Sequence, residues 1–392
     1  MYPDFSYFVS AVFGTDTGGF FSLIKTFGLF LALVFVVGGF FLVAEMKRKE
    51  AEGLLPVKHV QSWVGKSATI WEILSNALVG FLLGFKGVYA FMNGQEMIAD
   101  APNILLSMKG NWIGGLIGGL LFGFARYWEK NREVLPTPEL RTFKLRPYEQ
   151  AGNLVILAAI SGLIGAKLFA VMETPKALLA DPIGMLFSGS GLAVYGGLIG
   201  AFIAMPFFIR RMGFKVIHIM DAAAPSLALG YGVGRMGCHF SGDGDWGDPS
   251  DLADRPDWLS WLPDWTWTHH YPHNVINEGI PIPGCEKTYC MMLEPGVYPT
   301  PIYEIIMAFI IFAILWSLRK RIKVAGLLFF IYLFLNGLER FSIEMIRVNT
   351  DYTVFGIALT QAQMIAILFM LTGLTLGLVF WRRHKAGKPI VF

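Results

Sequence analysis

Long apolar runs dominate this sequence and limit what it can fold into. About nine of them approach or exceed the roughly 20 residues that a helix needs to cross a hydrocarbon core. Only 16% of the residues are charged and 54% are hydrophobic, which excludes a water-soluble fold with a polar surface. Inside a bilayer, such runs satisfy their backbone hydrogen bonds as helices. We therefore predict an all-α polytopic membrane protein, a helical bundle of about nine transmembrane spans.

The basic residues indicate how these spans cross the membrane. The predicted spans lie near residues 25–45, 71–91, 112–127, 153–172, 192–209, 216–233, 301–318, 325–343 and 356–380. Basic clusters follow the odd-numbered spans, at residues 47–49, 126–146, 210–215, 319–323 and 382–388. The positive-inside rule then places the N-terminus outside and the C-terminus in the cytoplasm. No basic patch interleaved with aromatic residues accompanies the charge, so nucleic acid is not a predicted partner.

We divide the chain into four regions. Residues 1–150 hold N-terminal spans, including an extra helical pair at 71–127 whose role stays open. Residues 151–242 hold core spans, residues 243–298 form a small acidic extracytoplasmic head, and residues 299–392 hold the C-terminal core spans. The first apolar run lacks a small-residue cleavage site and is followed by three basic residues. This pattern predicts a retained span rather than a cleaved signal peptide.

A glycine-rich stretch at residues 230–247 places charge at the mouth of the sixth span. Arg235 lies at the end of the apolar run, at a depth where burying a guanidinium costs free energy, so it marks a functional site with a partner. The glycines let the backbone approach a ligand closely. Asp243 and His239 lie in the same stretch. The composition of this stretch suits an anionic ligand.

A second charged cluster closes the eighth span. Arg340, Glu344 and Arg347 are spaced i, i+4 and i+7, so a helix would place them on one face. They could form a salt-bridge ladder within the helix. Because two arginines exceed one glutamate, the same face also suits a phosphate, which guanidinium groups bind through paired hydrogen bonds.

Two further places carry candidate residues. Tyr195, Gly196 and Gly197 open the fifth span, where the glycines serve either helix packing or a ligand and the tyrosine either an interfacial belt or a ligand. Glu304 lies about one turn into the seventh span. A carboxylate at that depth needs a partner, so it either supports an arginine or acts as a base.

The cysteines and histidines of the head give weaker signals. Cys285 and Cys290 are close enough in sequence for a disulfide, but spacing alone does not establish the geometry, and the question stays open. His269, His270 and His273 lack the spacing and context of known zinc sites. We predict no metal at these histidines.

Taken together, these motifs resemble the bacterial prolipoprotein diacylglyceryl transferase family. The resemblance covers roughly residues 150–385 and rests on four segments in the family's order and spacing. The segments are Tyr195-Gly-Gly-Leu-Ile-Gly, Gly234-Arg235-Met-Gly-Cys-His-Phe-Ser-Gly-Asp243, Tyr303-Glu304 and Arg340-Phe-Ser-Ile-Glu344-Met-Ile-Arg347.

The resemblance implies an inner-membrane enzyme that acts without a cofactor. Such an enzyme moves the diacylglyceryl group of phosphatidylglycerol onto the lipobox cysteine thiol of a preprolipoprotein signal peptide and releases glycerol 1-phosphate. It implies that Arg235 and Arg340 face the phosphate and that Glu304 and Glu344 orient them. From the motifs and the resemblance together, the candidate phosphatidylglycerol-binding residues are Arg235, Arg340, Gly196, Gly197, Glu304, Asp243 and Arg347, and the candidate catalytic residues are Arg235, Arg340, Tyr195, Glu344 and His239.

The chain departs from the family pattern where the thiol would be activated. Tyr195 stands where many members have histidine, and Phe27 stands where they have tyrosine. We expect Tyr195 to position phosphate or thiol while arginines favour the thiolate. His239 is a second candidate base, or else a hydrogen-bonded polar residue of the loop. These departures keep one alternative open, a non-enzymatic phospholipid-binding or transport protein on the same scaffold.

Overall fold

A computed structural model describes most of the chain. The described residues are 1–14, 20–99, 107–173, 193–347, 351–354 and 357–388, with the single positions 104, 179, 181, 182 and 185. They form two compact units, one made of residues 1–55 and 209–392 and the other of residues 56–208. Helices make up most of both units.

A long helix occupies each of the nine predicted spans. In chain order the helices are α1 (Phe5–Phe13), α2 (Thr26–Ala51), α3 (Ile70–Met92), α4 (Gly94–Ala99), α5 (Trp112–Arg132), α6 (Ala151–Glu173), α7 (Val194–Arg211), α8 (Val216–Ser241), α9 (Thr300–Leu318), α10 (Leu327–Ile343) and α11 (Gln361–Lys385). Within the described ranges, six helices are long and apolar enough to cross a membrane: α2, α3, α6 with its preceding turn, α8, α9 and α11. The prediction of a helical multi-pass membrane protein is thus confirmed, with six candidate spans supported by length and composition.

Several helix ends differ from the predicted spans, among them the end of α8 and the start of α11. Helix α8 continues to Ser241, so its glycines do not stop it and Arg235 is helical. It ends where Gly242 adopts the left-handed conformation, with φ 64°, and donates its N–H to the Cys238 carbonyl. Helix α11 begins only at Gln361, because a hairpin of strands β5 (Asp351–Val354) and β6 (Ile357–Thr360) precedes it.

Helix α8 is the central element of the first unit. In the apolar window of this helix 72% of the residues are buried, against 6–28% in the other candidate spans. Its small residues make this possible, since Ala222, Ala224 and Ala228 are almost fully buried against neighbouring helices. Small side chains let helix backbones approach closely in a membrane. The residues near the end of α8 are therefore held by packing along its whole length.

A buried ion pair fixes the beginning of α8. Lys49 of α2 and Asp221 of α8 are both almost fully buried, and Lys49 Nζ lies 3.6 Å from Asp221 Oδ2. Asp221 also accepts the backbone N–H groups of Gly326 at 2.8 Å and Phe329 at 3.1 Å. Both donors lie at the start of α10, where backbone N–H groups have no acceptor within the helix. One carboxylate therefore ties together three helices.

The segment between α8 and α9 folds around a small aromatic core. Trp246, Tyr271, Leu293 and Val297 form this core, and Tyr271 has no exposed surface. Strand β3 (Ile280–Pro281) pairs with strand β4 (Met291–Met292) beside it.

A disulfide closes a short loop in the same segment. Cys285 and Cys290 are bonded, with their Cα atoms 5.6 Å apart. The bond answers the question that their spacing in the sequence left open.

In the second unit, α3 and α5 pack tightly as an antiparallel hairpin. A Cβ added to Gly84 would lie 2.1 Å from the carbonyl oxygen of Gly114, which means that the two backbones are in contact. Strand β1 (Lys58–Val64) precedes α3 and pairs with strand β2 (Glu139–Leu145), which follows α5. The hairpin is therefore closed at its base by a two-stranded ribbon.

Alanine at position 84 should weaken this hairpin. The added methyl group would meet backbone that cannot move cheaply, so Gly84→Ala should lower the stability of the hairpin by about 1–3 kcal/mol. Gly87→Ala is the matched control, because nothing lies within 4 Å of its added Cβ. Protease susceptibility of both full-length variants in bicelles during thermal unfolding measures the difference. Equal behaviour of the two variants would contradict the close backbone contact.

Acid should destabilise the segment between α8 and α9 through His269. Burial, together with His239, lowers the pKa of His269 to about 4, and its Nδ1 accepts the Tyr271 N–H at 2.9 Å. An unfolded histidine titrates at about pH 6.5, so this contribution to stability is complete above that pH and falls by about 3 kcal/mol as the pH drops to 4.

The variant His269→Asn keeps an acceptor but does not titrate. Thermal unfolding at neutral pH and at about pH 4.5 should show a smaller acid loss for this variant than for the wild type. His270→Asn, at a neighbouring side chain that is 44% exposed, serves as the control. An unchanged acid loss in His269→Asn would refute the assignment.

Candidate active site

Three predicted site residues meet at one end of the first unit. Arg235 lies six residues before the end of α8, Glu304 lies in the second turn of α9, and Arg340 lies three residues before the end of α10. Six residues of helix correspond to about 9 Å. The three side chains come from three neighbouring helices, although they are far apart in the sequence.

The carboxylate of Glu304 is the point where they join. It has no exposed surface. Arg235 Nε lies 3.0 Å from Oε2, and Arg340 Nη1 donates to Oε1 at 3.1 Å. A carboxylate removed from water needs such partners. These contacts correspond to the first of the two roles weighed for Glu304, support of an arginine.

Asp245 links Arg235 to a third arginine. One carboxylate oxygen of Asp245 pairs with Arg235 Nη1, and the other pairs with Arg347 Nη2. Thr300 Oγ1 donates to the backbone carbonyl of Asp245 at 2.7 Å, which fixes the loop beyond α8. Burial raises the pKa of the Asp245 carboxyl, but the two guanidinium charges outweigh burial and hold the pKa below its usual value.

The salt-bridge ladder that the spacing on α10 allowed is only partly formed. Arg340 Nη2 lies 3.1 Å from Glu344 Oε2, as the i, i+4 spacing predicts. Helix α10 ends at Ile343, however, and a 3-10 turn follows, so Arg347 is extended and pairs with Asp245 instead. Glu344 receives a second hydrogen bond, 2.9 Å long, from the Thr360 hydroxyl at the start of α11.

Three residues of this cluster were not predicted from the sequence. Tyr231 donates its hydroxyl to Glu304 at 2.9 Å, and Glu339 lies 3.3 Å from the same hydroxyl. Asp245, rather than Asp243, pairs with the arginines. Signals for two of them were present. Tyr231 precedes Arg235 by one helical turn, and Glu339 is a carboxyl inside an apolar run, which marks a functional candidate.

Asp243 lies beside this network. Burial and the nearby charge of Asp245 raise the pKa of the Asp243 carboxyl. The ligand atoms of Cys238, Asp243 and Asp245 lie within 4.8 Å of one another, a spacing that a metal ion would accept. Two guanidinium groups already use Asp245, and their charge opposes a further cation. We therefore assign the Asp245 carboxylate to the arginines rather than to a metal ion.

His239 lies in the last turn of α8 and faces the aromatic core. Its Nδ1 is 3.4 Å from the Tyr271 hydroxyl, and its ring packs near Phe240 and His269. These contacts correspond to the second interpretation of His239, a hydrogen-bonded polar residue.

The predicted glycine segment lies in the other unit. A Cβ added to Gly196 would lie 2.6 Å from the Gly165 carbonyl oxygen, and one added to Gly197 would lie 3.2 Å from that of Gly162. Both glycines therefore pack α7 against α6. Tyr195 belongs to α7, but its side chain, like residues 188–192 before it, lies outside the described part of the chain. Phe27 lies in α2 with 43% of its surface exposed.

Comparison with known proteins agrees with the motifs of this site. The sequence profile of the family described as Prolipoprotein diacylglyceryl transferase matches residues 135–380. A protein from Dehalococcoides mccartyi is 27% identical over 250 residues, which are 62% of this chain and 82% of the relative. A Staphylococcus carnosus protein is 30% identical over 240 residues, 60% of this chain and 76% of the relative. A Leptospira interrogans protein is 28% identical over 236 residues, 54% of this chain and 65% of the relative.

All three relatives are named phosphatidylglycerol--prolipoprotein diacylglyceryl transferase. The family profile spans more than half of the chain and includes Arg235, Glu304 and Arg340. This protein therefore belongs to the prolipoprotein diacylglyceryl transferase family and is a transferase of lipoprotein biosynthesis.

Proposed function

We propose that the protein transfers the diacylglyceryl group of phosphatidylglycerol to the lipobox cysteine thiol of a preprolipoprotein, forming a thioether and releasing glycerol 1-phosphate. The observation that carries this proposal is the pairing of Arg235 and Arg340, from two helices, with the single buried carboxylate of Glu304. The carboxylate holds two guanidinium groups close together. Two such groups suit the phosphate of the lipid.

Arg347 extends the proposed phosphate site. Its side chain is 13% exposed, and within the described residues its buried Nη1 has no hydrogen-bond partner. A buried donor without a partner is unfavourable, and a phosphate oxygen would satisfy it. We assign Arg235, Arg340 and Arg347 to the phosphate, and Glu304, Asp243, Gly196 and Gly197 to the surroundings of the bound lipid.

The reaction needs stabilisation of negative charge more than any other assistance. The cysteine sulfur attacks the terminal glyceryl carbon of the diacylglyceryl group, and the bond from that carbon to the phosphate oxygen breaks. The electron pair of this bond leaves with glycerol 1-phosphate, so charge grows on the phosphate oxygens. Arginines already held in place by Glu304, Glu344 and Asp245 stabilise that charge without further reorganisation. The thiol proton leaves with the solvent or with the phosphate.

For thiol activation we propose a positioning role for Tyr195. An unperturbed tyrosine, with a pKa near about 10, is a weak base at neutral pH. The positive charge of the arginines favours the thiolate, and the tyrosine hydroxyl orients the thiol or the phosphate. His239 packs among aromatic rings, so we give it no proton-transfer step.

We also propose the arrangement of the protein in the membrane. The nine long helices of the described residues cross the bacterial cytoplasmic membrane, with the N-terminus outside and the C-terminus in the cytoplasm, as the basic clusters indicate. Residues 243–298 form an extracytoplasmic head between the core regions 151–242 and 299–392, and residues 1–150 contribute the N-terminal spans. The arginine cluster then opens to the outer leaflet, where a secreted substrate presents its cysteine.

Removing either central arginine should abolish most of the activity. We expect Arg235→Ala and Arg340→Ala each to lower kcat by about 100-fold or more, because each removes a charge that stabilises the leaving phosphate. Transfer of labelled glyceryl lipid from phosphatidylglycerol to a lipobox peptide by the purified protein measures this.

Arg255→Ala provides the matched control for these variants. Arg255 pairs with Asp264 in the segment between α8 and α9, away from the cluster, so its removal should change kcat less than about threefold. Phosphatidylglycerol binding without any cysteine-dependent product in the wild type would instead support a non-enzymatic lipid-binding protein.

Tyr195→Phe tests the hydroxyl group of Tyr195. We expect this variant to lose about 10-fold or more in kcat/KM, because a hydrogen bond to the thiol or phosphate is lost. The same transfer assay measures the loss, and Tyr195→Leu, which also removes the ring, should be no more active. Full activity of Tyr195→Phe would exclude a role for the hydroxyl.

A further inference from the structure

Two buried carboxyl groups in this site share one hydroxyl. Tyr231 Oη lies 2.9 Å from Glu304 Oε1 and 3.3 Å from Glu339 Oε1. Glu339 is 3% exposed, and its Oε2 has no hydrogen-bond partner within the described ranges. Glu304 pairs with two arginines, whereas none of the described ion pairs involves Glu339. Phosphate binding therefore leaves the role of Glu339 unexplained.

The number of available protons constrains the state of Glu339. A tyrosine hydroxyl has one proton, so Tyr231 can donate to only one of the two carboxyl groups at a time. Its shorter contact is with Glu304. The contact between Tyr231 and Glu339 then needs a proton from the other side, and only a protonated Glu339 can supply one. Two ionised carboxylates at this separation in a buried site would also repel each other.

We propose that Glu339 is a positioning residue that works in its neutral, protonated form. Its carboxyl group donates to the Tyr231 oxygen, Tyr231 donates to Glu304, and Glu304 stays ionised between Arg235 and Arg340. This inference rests on the proposed phosphate-binding function. The neutral form adds no negative charge beside the lipid phosphate, while an ionised Glu339 would oppose its binding.

The groups that surround Glu339 are consistent with one proton in this place. Helix α11, which packs against α10, carries no charged residue from 361 to 381. The titratable and charged groups that face Glu339 are Tyr231 and Arg235 of α8, Glu304 of α9, and Tyr332 and Arg340 of α10. The two guanidinium charges are already shared with Glu304.

Two variants and a pH profile test the proposal. Glu339→Gln has the size of the neutral acid and keeps a donor for Tyr231, so kcat/KM at neutral pH should fall by less than about fivefold. Glu339→Leu removes the donor and should lower kcat/KM by about 10-fold or more. Wild-type activity should decline at alkaline pH as Glu339 ionises, and Glu339→Gln should lack that decline. A purely structural role would leave the shape of the pH profile unchanged.

A second measurement does not depend on turnover. The infrared difference spectrum between the wild type and Glu339→Gln in lipid at neutral pH should contain the C=O stretch of a protonated carboxylic acid. If the wild type forms no product, the proposed function fails, yet this band still reports whether Glu339 is neutral.

Several results would overturn the inference. A loss of about 100-fold or more in a folded Glu339→Gln would show that the ionised carboxylate is needed, as it would be for a base. Equal activity of the Gln and Leu variants would show that the donor is unnecessary. If the activity of Glu339→Gln still declined at alkaline pH, or if the difference spectrum lacked the C=O stretch of a protonated carboxylic acid, Glu339 would not be the group that carries the proton.

Discussion

The buried carboxylate of Glu304 is the constraint on which the site depends. An ionised carboxylate that is removed from water is tolerated only with close partners. Glu304 belongs to α9, and its partners are Arg235 of α8 and Arg340 of α10. At the opposite end of α8, Asp221 joins Lys49 to the start of α10. Lipid supplies no hydrophobic driving force between helices, so these buried ion pairs add to the packing of α8 a directional contact that constrains how the helices are rotated.

This arrangement gives the arginines their positions before a substrate arrives. Arg235 is held on one side by Glu304 and on the other by Asp245, and Arg340 is held by Glu304 and Glu344. Charge stabilisation by groups already in place needs no rearrangement during the reaction. The carboxyl groups have an opposite effect as well, since each reduces the positive charge that a phosphate meets. In the proposed phosphate site, the protonation state of the carboxyl groups therefore sets the net charge around the phosphate.

Sequence reasoning identified the helices and much of the site, but not its contacts. Apolar length located the long helices of the described residues, and the scarcity of charge in those runs singled out Arg235, Glu304 and Arg340. It did not identify Tyr231 and Glu339, which meet across 108 residues of sequence, because that contact depends on how two helices are rotated about their axes. It named Asp243, which ends the segment that resembles the family signature, and missed Asp245, because the loop after Gly242 has no regular period from which side-chain directions follow. Helix α8 also continues to Ser241, beyond its predicted end at residue 233, because packing overrides the weak helix propensity of glycine.

The ribbon that closes the α3 and α5 hairpin has a consequence for how such a chain can change. Lys58 and Leu145 face each other across the two strands, which places them about 5 Å apart. The segment between Lys58 and Leu145 therefore starts and ends at nearly the same place. A single deletion or insertion at that place would remove or add the whole hairpin. The hairpin is therefore an insertion that evolution can replace or remove without altering the order of the helices that carry the arginines.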